Sequence, residues 1–147
     1  MTTSLKRAGT VLLSVLLLCT LALSAGAASK LRVGVKFWKT DSDKESMANS
    51  GIDTSREASL TRQSNGTYTL TLPIQQVSKM GVTGYLTGLT IGDVTKDTGV
   101  LTIKNLPASV LTGSDVNKAL TVTCNIQMDL SLLGEINTSA RMCIWNK

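Results

Sequence analysis

The 147-residue sequence contains no histidine. That removes the Ser-His-Asp triad, the Cys-His dyad and the usual zinc sites, each of which needs an imidazole as base or ligand. It leaves Ser-Lys and paired-carboxylate hydrolases open. Aromatic residues are scarce: one Phe, two Tyr and two Trp, too few for the stacking platform that single-stranded nucleic acid needs. The basic residues, among them Lys39, Lys44, Arg56, Arg62, Lys79, Lys96, Lys104 and Lys118, are scattered and never run together. A nucleic-acid groove would cluster them. The acidic residues sit mostly in turn-like contexts (Asp41, Asp43, Asp53, Asp93, Asp97, Asp115), where solvated turn carboxylates are the ordinary case. We expect no enzyme and no nucleic-acid partner.

A hydrophobic run of membrane-spanning length is also missing. The longest, Thr10 to Leu23, falls short of the roughly 20 residues a bilayer span requires. Lys6 and Arg7 precede it and Ala25-Gly26-Ala27 follow it, which is the pattern of a secretory signal peptide. We expect residues 1–27 to be that signal and residues 28–147 to form one domain. The product would be secreted or displayed on the extracellular cell surface, with no transmembrane span in the mature chain. Cys19 follows Leu18 rather than a small residue, which argues against lipidation. Without Lys6 and Arg7 the chain keeps thirteen basic residues against ten acidic ones, a net charge of about +3.

What is present alternates. Leu31, Val33, Val35 and Phe37 are separated by Arg32, Gly34 and Lys36, the period of two of a half-buried strand. Ala58, Leu60 and Arg62 begin a second strand, and Asn65-Gly66 predicts a tight type I′ hairpin. Tyr68, Leu70, Leu72 and Ile74 form a third, in which Pro73 marks a sheet edge because it cannot donate to a ladder. Gly81, Gly84, Gly88 and Gly92 punctuate one or two short strands around Tyr85-Leu86, Leu89-Thr90-Ile91 and Val94. Asp97-Thr98-Gly99 is a turn, Val100 to Ile103 a strand, and Ser114-Asp115 a cap for one helical turn through Lys118. The fold expected is all-β: an immunoglobulin-like antiparallel β-sandwich of seven to eight strands. The stretch from Trp38 to Asp53 interrupts the strand pattern with charges and then small residues, and is long for a plain connection, as binding loops often are.

The last hairpin carries the most information. Leu120, Val122, Cys124, Ile126 and Met128 share one strand face. On the return, Ile136, Thr138, Ala140, Met142 and Ile144 share one face, and Asn137, Ser139, Arg141, Cys143 and Trp145 the other. The tip, Asp129 to Glu135, holds Leu130, Leu132 and Leu133, which either fold back over the core or wall an apolar site. Two registers are open. In one, Cys124 faces Cys143 and an exported chain joins them in a disulfide. In the other, shifted by one residue, the even-numbered faces match, the core is more uniformly apolar and both thiols stay unpaired. The disulfide register is preferred.

Three segments carry a family resemblance: Lys44-Glu45-Ser46-Met47-Ala48-Asn49 with Ile52-Asp53, Gly66-Thr67-Tyr68-Thr69-Leu70-Thr71-Leu72, and Asp115-Val116-Asn117-Lys118-Ala119-Leu120-Thr121-Val122. From Leu31 to Trp145 the chain resembles the NEAT (near-iron-transporter) domains, haem-binding sandwiches exported by Gram-positive bacteria. The resemblance implies haem, as haem b, held between a short 3₁₀ lip at Ser46 to Ser50 and the final hairpin. Its partners would be host haemoproteins or other haem-relay proteins. One departure stands out. Haem-binding members carry Tyr-x-x-x-Tyr at the start of the final strand, and alignment on Ile136-Asn137 puts Thr138 and Met142 at those positions. Thr138 is a poor iron ligand, whereas thioether ligation of haem iron is established.

The resemblance therefore implies Met47 and Met142 as iron ligands, with Met128 in reserve, Ser46 on a propionate, Thr138 beside the ring, and Leu132 and Leu133 as apolar wall. Lys39 and Lys44 could meet propionates, although most loop lysines are simply solvated. Each of these residues also has an ordinary structural role, Met in gap-filling and Ser in capping. Two functions follow: an exported haem-binding or haem-relay module, or a non-haem immunoglobulin-like adhesion or protein-interaction domain.

Overall fold

The computed structural model describes residues 28–79, 81–128 and 134–147. Segment 1–27, read above as a signal peptide, and the leucines of the hairpin tip, Leu132 and Leu133 among them, lie outside the described residues. The described chain forms nine strands: β1 (Lys30–Trp38), β2 (Ala58–Arg62), β3 (Tyr68–Pro73), β4 (Gln76–Lys79), β5 (Val82–Leu89), β6 (Asp93–Asp97), β7 (Val100–Leu106), β8 (Leu120–Met128) and β9 (Glu135–Asn146). All pair antiparallel, in the order β4-β5-β8-β9-β1-β2-β3-β7-β6. Three short 3₁₀ helices complete the elements.

β1 joins the two layers of this immunoglobulin-like sandwich. Its first half, Lys30 to Val33, pairs with β2; its second half, Val33 to Trp38, pairs with β9. The curled sheet encloses a core of alternating residues: Val33 and Phe37 from β1, Leu60, Leu70 and Leu72 from β2 and β3, Leu101 and Ile103 from β7, and Val122, Ile126, Ala140 and Ile144 from the last hairpin. Burying such side chains stabilises by about 1.5–3 kcal/mol each, which is why the period-two pattern dictates the layer each strand joins.

Several expectations change in detail. Nine strands replace seven or eight because Gln76–Lys79, a stretch with little alternation of its own, pairs with β5. The Asn65-Gly66 turn is not type I′. Gly66 has φ 83°, but Asn65 is not among the positive-φ residues. The Asn65 carboxamide instead accepts from the Thr67 N–H and hydroxyl (3.0 and 2.7 Å), and the Gly66 N–H closes on Gln63 O at 3.1 Å. This is a longer hairpin loop ending in a left-handed glycine. β3 lies inside the sheet between β2 and β7, yet Pro73 is tolerated because the β2 ladder stops at Ser59↔Thr71. Beyond that point the side of Pro73 that lacks a donor meets the Asp53 N–H, which donates to Pro73 O at 3.0 Å.

The hairpin takes the even-face register. Leu120 faces Met142, Val122 faces Ala140, Cys124 faces Thr138 and Ile126 faces Ile136. The expected disulfide is therefore absent: Cys124 and Cys143 are both free and buried. Cys124 points into the core, while Cys143 lies opposite Lys36 and, by parity, on the other face of the sheet. The physical reason is apolar burial. This register places Val122, Ile126, Ala140, Met142 and Ile144 in the core together, which a one-residue slip would turn outward.

Candidate functional site

The loop after β1 leaves the sheet at Trp38 and returns through a single bridge, Trp38↔Glu45. The Lys39 N–H donates to Lys44 O at 2.8 Å and closes it. The chain then enters the 3₁₀ helix Met47–Gly51, one residue on from the lip that the family resemblance implies at Ser46 to Ser50. Ser46 is its N-cap, its hydroxyl accepting from the Ala48 N–H at 3.3 Å. Capping satisfies a donor that the first turn leaves open.

Asn49 fixes the lip to the sheet. Its Oδ1 accepts from the Phe37 N–H at 2.8 Å, and its Nδ2 donates to Phe37 O at 2.6 Å and to Ser46 O at 3.1 Å. The side-chain amide, together with the Ser46 N–H that donates to Phe37 O at 3.0 Å, thus takes the place of a neighbouring strand on this side of Phe37. Sequence reasoning missed it. The available signal was an amide residue between two small ones, just where the N–H of a strand end needs an acceptor.

A depression of about 530 Å³ opens between this loop and β9, lined by Lys39, Thr40, Asp41, Glu45, Ser46, Met47, Thr138 and Ser139. Three expected site residues, Ser46, Met47 and Thr138, therefore meet there. Met47 is 40% exposed. Glu45 also pairs with the Lys36 ammonium, which lies 4.8 Å from the Trp38 ring centre. The walls mix cationic, anionic and hydroxyl groups, with Met47 the main apolar side chain.

Met142 does not join them. It is 0% exposed, lies opposite both Phe37 and Leu120, and belongs to the apolar core. The even-face register that sets Thr138 at the mouth carries Met142 further along the strand and inward. The expected Met47–Met142 pair is therefore not brought together at this depression: Met142 is enclosed in the core, away from Met47. Met128 pairs with Gly84 at the far end of β8. Among the described residues no group of three or more His, Cys, Asp or Glu side chains could hold a metal ion.

Arg141 was not singled out from the sequence. On β9 its Nε donates to Lys39 O (2.9 Å), its NH2 to Ser42 O (2.9 Å) and to Asp43 Oδ1 (2.9 Å), and its NH1 to Val116 O (3.5 Å). Nearby, burial pushes the Cys143 thiol pKa up, partly offset by Trp38, Thr112 and Arg141. Its Sγ approaches Asp115 O at 3.7 Å.

No family model matches the sequence, and no curated protein matches it. Among solved structures the fold is similar to a mutant of IsdX2-NEAT5 in complex with heme, at 13% identity and a TM-score of 0.48, over 80% of this chain and 95% of that one. A similarity of that size assigns neither a ligand nor a site residue. No helix among the described residues is long and apolar enough to cross a membrane.

Proposed function

We propose that this chain is an exported haem-binding or haem-relay module, taking haem b at its edge in the depression between the lip and β9. The observation that carries the reading is the meeting of Met47 and Ser46 on one wall with Thr138 and Ser139 on the other, the two elements that the NEAT resemblance designates. A volume of about 530 Å³ lies within the range of cofactor sites, roughly 300–1,000 Å³. Met47 supplies a thioether, an accepted ligand class for haem iron. Lys39 supplies a cation for a propionate, and the Ser46 hydroxyl, already capping the lip, is near enough to share. The work is ligand exchange with host haemoproteins or other relay proteins rather than catalysis.

The mixed charge of the same walls favours a second reading, a non-haem adhesion or protein-interaction domain. Lys39, Asp41 and Glu45 suit a polar partner better than a porphyrin face. Hemin titration separates the two. Haem binding predicts a saturable Soret shift in wild type, weakened and moved in wavelength by Met47→Ala. A wild-type titration that only reports free hemin would end the haem reading in favour of the second. Binding that Met47→Ala leaves untouched would keep haem and remove methionine from iron.

A further inference from the structure

The depression has one wall on β9 and one on the loop from Lys39 to Met47, so its shape depends on what holds that loop. The loop is closed at its base by two backbone bonds, Lys39 N–H to Lys44 O and Ser46 N–H to Phe37 O, which make up its one bridge back to β1. Its apex, Thr40 to Asp43, pairs with no strand. Under the apex stands Arg141, with a planar fork that reaches Lys39 O, Ser42 O and Asp43 Oδ1, each at 2.9 Å.

We propose that Arg141 is a positioning residue for the depression. Anchored on β9, two residues from Ser139, it sets the distance between the two walls and preforms the site before any ligand arrives. This rests on the haem reading for the identity of the ligand, but not for the action on the loop.

The contribution divides unequally. Asp43 is largely exposed, its side chain 73% accessible, whereas the Arg141 side chain is 20% accessible. Solvent screens the ion pair, and exposed pairs contribute little. The two carbonyls are the effective anchors, because charge-assisted bonds to fixed backbone acceptors are stronger and the rigid guanidinium meets both without reorganising. A lysine has one nitrogen at the end of a flexible stem and cannot reach both carbonyls in the same geometry. Val116 O, at 3.5 Å, ties the same guanidinium to the 3₁₀ helix Val116–Lys118 and limits its swing. Preforming a site raises affinity by removing the cost of ordering the loop on binding.

Two measurements on the full chain test this. Hydrogen exchange of the unliganded protein, read on peptides covering 39–45, should rise about tenfold in Arg141→Ala, an intermediate amount in Arg141→Lys and much less in Asp43→Asn, as expected for loss of charged hydrogen bonds. Exchange in β3 and β7 should not change. Hemin titration should show about tenfold weaker binding in Arg141→Ala, with the Soret maximum of the complex unmoved because no iron ligand is lost. Unchanged exchange at 39–45 in Arg141→Ala would overturn the proposal, as would a rise spread equally over β3 and β7, which means general support of the fold. If wild type binds no hemin, the haem reading fails by itself, and the exchange data still decide whether Arg141 holds the wall.

Discussion

At the residue scale the site depends on side chains that imitate backbone. Asn49 gives the Phe37 N–H the acceptor a neighbouring strand would have given, and shares Phe37 O with the Ser46 N–H. Removing it leaves the part-buried Phe37 N–H unpaired, which costs about 1–3 kcal/mol, whereas Phe37 O keeps the Ser46 N–H at 3.0 Å. Asn49→Ala should therefore lower the unfolding free energy by about 1–3 kcal/mol in chemical denaturation. Asn49→Asp should fall between wild type and Asn49→Ala, since its carboxylate still accepts from Phe37 N–H but cannot donate to Phe37 O. Equal losses for Ala and Asp would show that the donor half carries the whole effect. Ser46 has the smaller part: one cap bond at 3.3 Å is worth about 1 kcal/mol, so Ser46→Ala should be tolerated in stability tests.

At the element scale, a tight approach occurs where β1 runs beside β9. A Cβ placed on Gly34 would lie 2.2 Å from the Trp145 ring, and Gly34 and Trp145 are register partners. Gly34→Ala must push the indole off the sheet. The cost should be about 1–3 kcal/mol, the usual range for overpacking, with a red-shifted tryptophan emission. Combined with Trp145→Ala, the second substitution should cost less than it does alone, since the clash is gone. The elements themselves were largely legible, because alternation in Leu31 to Phe37, Tyr68 to Ile74 and Leu120 to Met128 leaves one face apolar whatever the neighbours. β4 was not, having only Val77 to bury. The hairpin register was open because both parities of β9 contain apolar residues, and only the packing of Met142 and Ile144 against β1 decides between them. That decision removed the disulfide and sent Met142 to the core. The lip was legible as a loop and Ser46 as its cap. The roles of Asn49 and Arg141 were not, since each depends on a carbonyl brought near by tertiary pairing.

At the scale of the whole molecule, the register that leaves the thiols unpaired gives the fold a distinct response to alkali. Cys124 is fully buried in the core, and burial pushes its pKa from 9.0 up to about 12; Cys143 shifts in the same direction. Cys124 stays protonated in the native state when the unfolded chain has already lost its thiol protons. Stability from this source is fully present below pH 9 and declines as pH rises toward the folded-state value near 12. For Cys124 the loss approaches about 1.4 kcal/mol per pH unit, because the unfolded state then binds one proton fewer. The useful quantity is the difference in slope between wild type and Cys124→Ala from about pH 8 to 10.5. Wild type should lose stability more steeply, whatever the offset that the truncation causes at neutral pH. Mapping of alkylated residues by mass spectrometry should agree, with Cys124 unmodified in native protein under mildly alkaline conditions and modified in denaturant. Parallel slopes together with rapid native labelling would place the Cys124 thiol in solvent rather than in the core and overturn the even-face register.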